Sequence, residues 1–197
     1  MDRLAAEITE CTKCRLHRGR THAVPGEGPG NAEIMFVGEA PGFHEDQQGR
    51  PFVGAAGQFL EELLESIGLG RGDVFITNVI KCRPPGNRDP LPQELSACEP
   101  YLDRQIELIQ PTVVVTLGRF SMARAFPEAR ISRIHGEARK IEGIVYYPMY
   151  HPAAALHRPS LRGTIEEDVR RIPDVVQRAP QMAECEPPPQ AEQLQLL

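Results

Sequence analysis

The chain has 197 residues, 41% hydrophobic and 25% charged, which suits one domain with a buried core and excludes a globally disordered polymer. Lys and Arg number 22 against 27 Asp and Glu, a net charge of −5 that excludes a polycationic packaging protein but not a local basic rim. No apolar run approaches the roughly 20 residues of a membrane span, and the mixed segment Met1–Glu10 lacks a secretory hydrophobic core, so a cytoplasmic protein is expected.

Near the start, Cys11 and Cys14 form a CxxC pair, and Cys82 and Cys98 follow far downstream. In a chain without a secretory signal, such thiols point to metal binding or redox chemistry rather than to a disulfide framework. No strand precedes the CxxC, which argues against a thioredoxin-like pair and for a metal centre. Four thiolates suit either a tetrahedral zinc or an iron–sulfur cluster, and spacing does not separate the two. Either would staple the N-terminal segment to the loop from Lys81 to Leu91, whose Pro84-Pro85-Gly86-Asn87-Arg88 lacks the apolar content to pack alone.

Short apolar strands then alternate with helical patterns. Glu33–Val37 reads as a buried strand ended by Gly38, and Phe59, Leu60, Leu63, Leu64 and Ile67 recur at helical spacing up to Gly68. Val74–Thr77 is the next strand. Pro92–Ile109 is a helix with an expected kink at Pro100, and Thr112–Leu117 is a third strand closed by Gly118. A short helix is expected over Arg119–Phe126 and a fourth strand over Ile144–Tyr150. The last helix should start at Thr164, capped with Glu167, and meet a break at Pro173. This alternation predicts parallel pairing in a three-layer α/β/α sandwich with a central, mainly parallel four-stranded sheet. Residues 1–179 form the expected domain. Residues 180–197, with three acids, no base and a Pro187-Pro188-Pro189 run, read as a flexible extension.

Ligands of such sheets bind beyond the carboxyl ends of the strands. Those ends here carry Gly38-Glu39-Ala40-Pro41-Gly42, Asn78, Gly118 and His151-Pro152. The Gly-rich turn permits main-chain N–H groups to face an anion or carbonyl. Asn78 offers a donor and an acceptor together, as reading the edge of a pyrimidine requires, and is a turn-forming residue otherwise. His151 donates to a developing oxyanion if it borders a pocket and is a His packed at a strand end otherwise. Phe52, between Pro51 and Val53-Gly54, is a stacking platform if it borders a pocket and a core aromatic otherwise. His17, His22, His44, His135 and His157 lack a strand-end context and are read as surface or loop residues.

Taken together, Gly38–Gly42 with Glu45-Asp46, Gly49-Arg50-Pro51-Phe52-Val53-Gly54, Thr77-Asn78-Val79-Ile80-Lys81-Cys82-Arg83-Pro84-Pro85 and His151-Pro152-Ala153-Ala154 resemble the type 4 (iron–sulfur) uracil-DNA glycosylase family. The resemblance runs in order from about Cys11 to Arg171. It implies a repair enzyme that flips uracil out of single- or double-stranded DNA and hydrolyses its glycosidic bond, leaving an abasic site. Phe52 would stack on the uracil, Asn78 would pair with its edge, and His151 with the main chain at Glu39, Ala40 and Pro41 would stabilise the departing anion. Glu39 or Glu45 would serve the water or the sugar cation, and Glu45 alternatively would exclude the thymine methyl. Leu156 would fill the gap left by the flipped base, with Arg158 and Arg162 on phosphates. Cys11, Cys14, Cys82 and Cys98 would hold a [4Fe–4S] cluster. A related subgroup traps its substrate through a His after the Asn motif. Cys82–Asp89 contains none, so turnover is expected. The end Gln193–Leu197 resembles the short peptides by which bacterial repair proteins dock on a sliding clamp. A monomer without membrane contact is expected. The competing readings are a non-catalytic nucleic-acid-binding module with a four-cysteine zinc and a thiol redox protein.

Overall fold

The computed structural model describes residues 1–187. In chain order the elements are α1 (Asp2–Thr9), β1 (Ile34–Gly38), α2 (Phe43–Gln48), α3 (Ala55–Glu65), β2 (Phe75–Asn78), α4 (Pro92–Ile109), β3 (Val113–Leu117), α5 (Arg119–Met122), α6 (Ile131–Ile134), β4 (Arg139–Ile141), β5 (Ile144–Met149), α7 (Pro152–His157), α8 (Arg162–Arg170) and α9 (Ile172–Arg178). The sheet order is β2-β1-β3-β5-β4. The first four strands of that order run parallel, and β4 lies antiparallel on the β5 edge. The sheet therefore has five strands rather than the expected four. β4 escaped the sequence pattern because it spans three residues, two of them the charged Arg139 and Lys140.

The strands are buried on both faces, and their side chains alternate between two cores. Ile34 and Phe36 pack with α3, α7, α8 and α9, whereas Met35 and Val37 pack with α1 and α4. Tyr147 on β5 is fully enclosed, and its hydroxyl donates to the Asp168 carbonyl at 2.8 Å, so the buried phenol is satisfied. Covering both faces of the sheet is what makes this a three-layer sandwich.

Several local expectations changed. The α4 span matches the expected one and continues through Pro100. The expected Thr164 capping box is not formed, because the helix begins two residues earlier, at Arg162, so Thr164 lies inside it. The break expected at Pro173 falls at Arg171, with Pro173 in the first turn of α9, where a missing N–H costs nothing. The last chain segment touches the body later than expected: Glu184 pairs with Lys140, and the Cys185 N–H donates to the Lys140 carbonyl at 2.7 Å. The Gln193–Leu197 peptide lies outside the described residues. Among these, no helix is long and apolar enough to cross a membrane.

The loop before α3 sits directly on that helix at Gly57. A side chain there would run into the carbonyl of Phe52. Gly57→Ala is therefore expected to cost about 2 kcal/mol by overpacking, despite alanine's better helix propensity. Thermal melts should show a Tm lower by roughly 4–8 °C. Gly163→Ala, with open space around the position, should lower it not at all.

Candidate active site

Parallel pairing carries the ends of β1, β2, β3 and β5 to one edge of the sheet. Gly38 and Asn78 stand opposite each other in register at the ends of β1 and β2. A side chain on Gly38 would strike Asn78 Oδ1 and come within 2.7 Å of Phe52 Cζ. Hydrogen in its place lets the amide and the ring close over the strand end. The Phe52 ring lies against His151, with centroids 5.4 Å apart and planes 23° from parallel. The three groups singled out from separate loops thus meet. They line one cavity of about 400 Å3 with Ala40, Gly42, Phe43, His44, Glu45, Asn87 and Leu156.

His151 caps α7: its Nδ1 accepts the Ala153 N–H at 3.1 Å. With Nδ1 accepting, the neutral ring carries its proton on Nε2. Burial lowers its pKa to about 4, opposed by the Glu45 charge. At neutral pH the group is an uncharged donor. Gly118, at φ +87°, leaves room for it, since a Cβ there would come within 3.2 Å of the His151 Cβ.

Phe52 holds a left-handed backbone, φ +52°, which a bulky residue rarely adopts. It is clamped on both sides. The Arg71 guanidinium donates to the carbonyls of Pro51 and Phe52 at 2.6 and 2.9 Å. The Glu45 carboxylate accepts the N–H groups of Val53 and Gly54, both at 2.9 Å, and that of Gly42 at 3.1 Å. Glu45 thereby ties the aromatic loop to the turn after β1. Arg71 is itself paired with Glu27 and Glu61.

Glu39 differs from Glu45. It is half-buried at the end of β1 and its carboxylate makes no hydrogen bond or ion pair among the described residues. Burial first, then the nearby Asp89 charge, raises its pKa, with Arg119 opposing. Glu39 and Pro41 flank the cavity-lining Ala40 without lining the cavity themselves. The Ala40 N–H makes no hydrogen bond among the described residues.

At the cavity wall, α7 buries Pro152 and Ala155 and leaves Leu156 half exposed. Ala155 belongs to the core, which leaves Leu156 as the rim side chain. Arg158 is exposed just past α7. Arg162 is elsewhere occupied: it bonds Glu62 at 2.8 Å and Glu166 at 2.9 Å and lies over the Phe59 ring.

Cys11, Cys14, Cys82 and Cys98 line a second, small cavity together with His17, Arg20, Lys81 and Tyr101. All four are free thiols. Arg20 donates to Cys82 Sγ at 3.1 Å. Burial pushes both inner thiols up, Cys98 to about 11, with the Lys81 N–H and charge opposing at Cys98. Among the described residues, no three His, Cys, Asp or Glu side chains gather tightly enough to hold a single ion.

Some working residues were missed at the level of sequence. Lys81 is fully buried, and its Nζ donates at 2.7 Å to Thr77 Oγ1, the Asn78 carbonyl and Gln105 Oε1. Burial lowers its pKa to about 7. It fastens the end of β2 beside the thiols, and its place in the apolar run before Cys82 was the available signal. Arg71 gave none, since an Arg between two glycines reads as solvated. His44 lines the cavity and His135 bonds Asp168 at 2.8 Å, so neither is the plain surface residue expected.

The model of the uracil DNA glycosylase superfamily matches residues 25–172. The chain belongs to that superfamily. A type-4 uracil-DNA glycosylase of Sulfurisphaera tokodaii is 51% identical over 182 residues, 87% of this chain and 83% of the relative. One of Archaeoglobus fulgidus is 50% identical over 87% of this chain and 91% of its own. One of Thermotoga maritima is 40% identical over 90% and 95%. Within the superfamily, these relatives set the chain among the type-4 enzymes.

The imidazole geometry yields a direct measurement. NMR titration should find His151 uncharged at pH 7, protonated on Nε2, and gaining its second proton near pH 4. A titration near the ordinary value of about 6.5 would contradict the buried, capping geometry.

Proposed function

We propose that the cavity receives a uracil flipped out of DNA and that the chain hydrolyses its N-glycosidic bond, releasing free uracil and leaving an abasic site. The observation that carries this reading is the meeting of Phe52, Asn78 and His151 at one cavity, in a chain of this family. In this reading the Phe52 ring supports the base. Asn78 presents its Oδ1 to uracil N3–H and its Nδ2 to O4. Cytosine reverses both partners, leaving a buried amide mispaired, and such a mismatch is strongly rejecting.

The bond breaks with its electron pair going to the base, giving a uracil anion and an oxocarbenium-like sugar. The His151 Nε2–H and the uncommitted Ala40 N–H then donate to the anion. Pro41 has no N–H to offer. An uncharged imidazole stabilises the anion by hydrogen bonding without surrendering its proton. Water attacks the sugar, and Glu39 takes the proton. Its uncommitted carboxylate and raised pKa support that choice over Glu45, whose three main-chain bonds suit a positioning role. Leu156 fills the vacated stack. Phosphate contact falls to Arg158, because Arg162 is spent on carboxylates.

The four thiols that line one small cavity are read as the ligands of a [4Fe–4S] cluster, with a four-cysteine zinc as the alternative that metal content decides. Cys11 and Cys14, Cys82 just past β2 and Cys98 on α4 would hold the cluster and so staple these three segments together.

Single-turnover excision of uracil from an oligonucleotide tests the pocket. His151→Ala should slow it about 100–1,000-fold, the scale of a lost oxyanion donor, with less effect on DNA affinity. Asn78→Asp should weaken uracil recognition. Wild-type rates in both would refute the assignment. For the metal, the purified protein should be brown with broad visible absorption, and Cys98→Ala should lose iron and colour. A colourless protein with one zinc would overturn that part.

A further inference from the structure

The described residues expose four large hydrophobic side chains, Phe43, Leu91, Leu108 and Leu156. Two of the four, Phe43 and Leu156, stand on the wall of the same cavity. Leu156 already has a task in the proposed reaction, and Phe43 has none. Phe43 is 51% exposed at the start of α2. Its ring is nonetheless held in place. His44 meets it edge-on with centroids 5.4 Å apart. The Arg83 guanidinium lies 5.1 Å from its centroid. Arg83 is fixed in turn by Asn87 Oδ1, which accepts from its Nε at 2.7 Å. Asn87 belongs to the cavity wall, and Arg83 with Arg15 lines the adjoining cleft.

An aromatic face kept half open and oriented beside a base-sized cavity is costly to leave in water unless something covers it. The Arg83 guanidinium over the ring and Arg15 in the cleft beyond it select an anionic, ring-bearing partner. We propose that Phe43, backed by Arg83, is a second stacking platform that takes the base next to the flipped uridine on the same strand, with the following phosphates entering the Arg15–Arg83 cleft. The inference rests on the cavity's being the uracil site. It assigns the grip on single-stranded DNA to the Phe43 side, separate from the Leu156 side that fills the duplex gap.

The test uses the full chain and a single-stranded oligonucleotide containing non-cleavable 2′-fluoro-deoxyuridine with 2-aminopurine beside it, placed 5′ in one probe and 3′ in another. Wild-type protein should change the fluorescence of one of the two probes on binding. Phe43→Ala should abolish that change and bind about tenfold more weakly, the scale of one lost base–aromatic stack. Phe43→Tyr should restore both. Because the ring is exposed, a thermal melt will show Phe43→Ala folded. Unchanged affinity and fluorescence in Phe43→Ala, with wild type still releasing uracil from a cleavable strand, would overturn the platform alone. A wild type that releases no uracil would strike the function assigned to the cavity instead.

Discussion

One carboxylate holds this site together. Glu45 accepts three main-chain N–H groups, one from the turn after β1 and two from the loop that follows the aromatic residue. Charge-assisted bonds of this kind are roughly twice as strong as neutral ones. With Arg71 gripping the preceding carbonyls, they keep Phe52 in a left-handed conformation that its side chain would otherwise abandon. The ring can then lie against His151 and over Gly38. Strain at one residue is thus balanced by an anion and a cation placed on opposite sides of it.

A comparable arrangement sets Asn78. Lys81 is a buried amine with three oxygen partners and no carboxylate, its pKa lowered by burial to about 7, and an expensive group to enclose unless its bonds are well made. One of those oxygens is the Asn78 carbonyl, and the next residue along the chain is the thiol Cys82. The cavity-lining amide and the first downstream thiol therefore lie on a single stretch of main chain, tied by the Lys81 bond to the Asn78 carbonyl.

The strand-end residues were readable in advance for a physical reason. In a parallel sheet every strand delivers its C-terminal residue to the same edge, so polar groups in those places are brought together by topology alone. Asn78 and His151 followed that logic, whereas Phe52, in the loop before α3, was left open between a stacking platform and a core aromatic until the structure placed it at the cavity. The short edge strand β4 did not, because an exposed Arg-Lys pair carries no apolar alternation. Arg71 and Lys81 were invisible as functional groups because their importance lies in partners that are distant along the chain. Arg162 misled in the opposite sense: a base near the DNA-facing loop looked available, and two carboxylates from α3 and α8 had already claimed it.

Local order along the chain was enough to establish the alternating architecture and to single out the four cysteines and the strand-end amide and imidazole as candidates. These depend on periodicity and on side-chain chemistry, which are written residue by residue. Which of two carboxylates is spent on the main chain and which remains uncommitted, Glu45 or Glu39, was settled only by folding. So was the protonation of His151, because desolvation and hydrogen-bond saturation are properties of the space around a group. That space is built from segments that meet only in three dimensions.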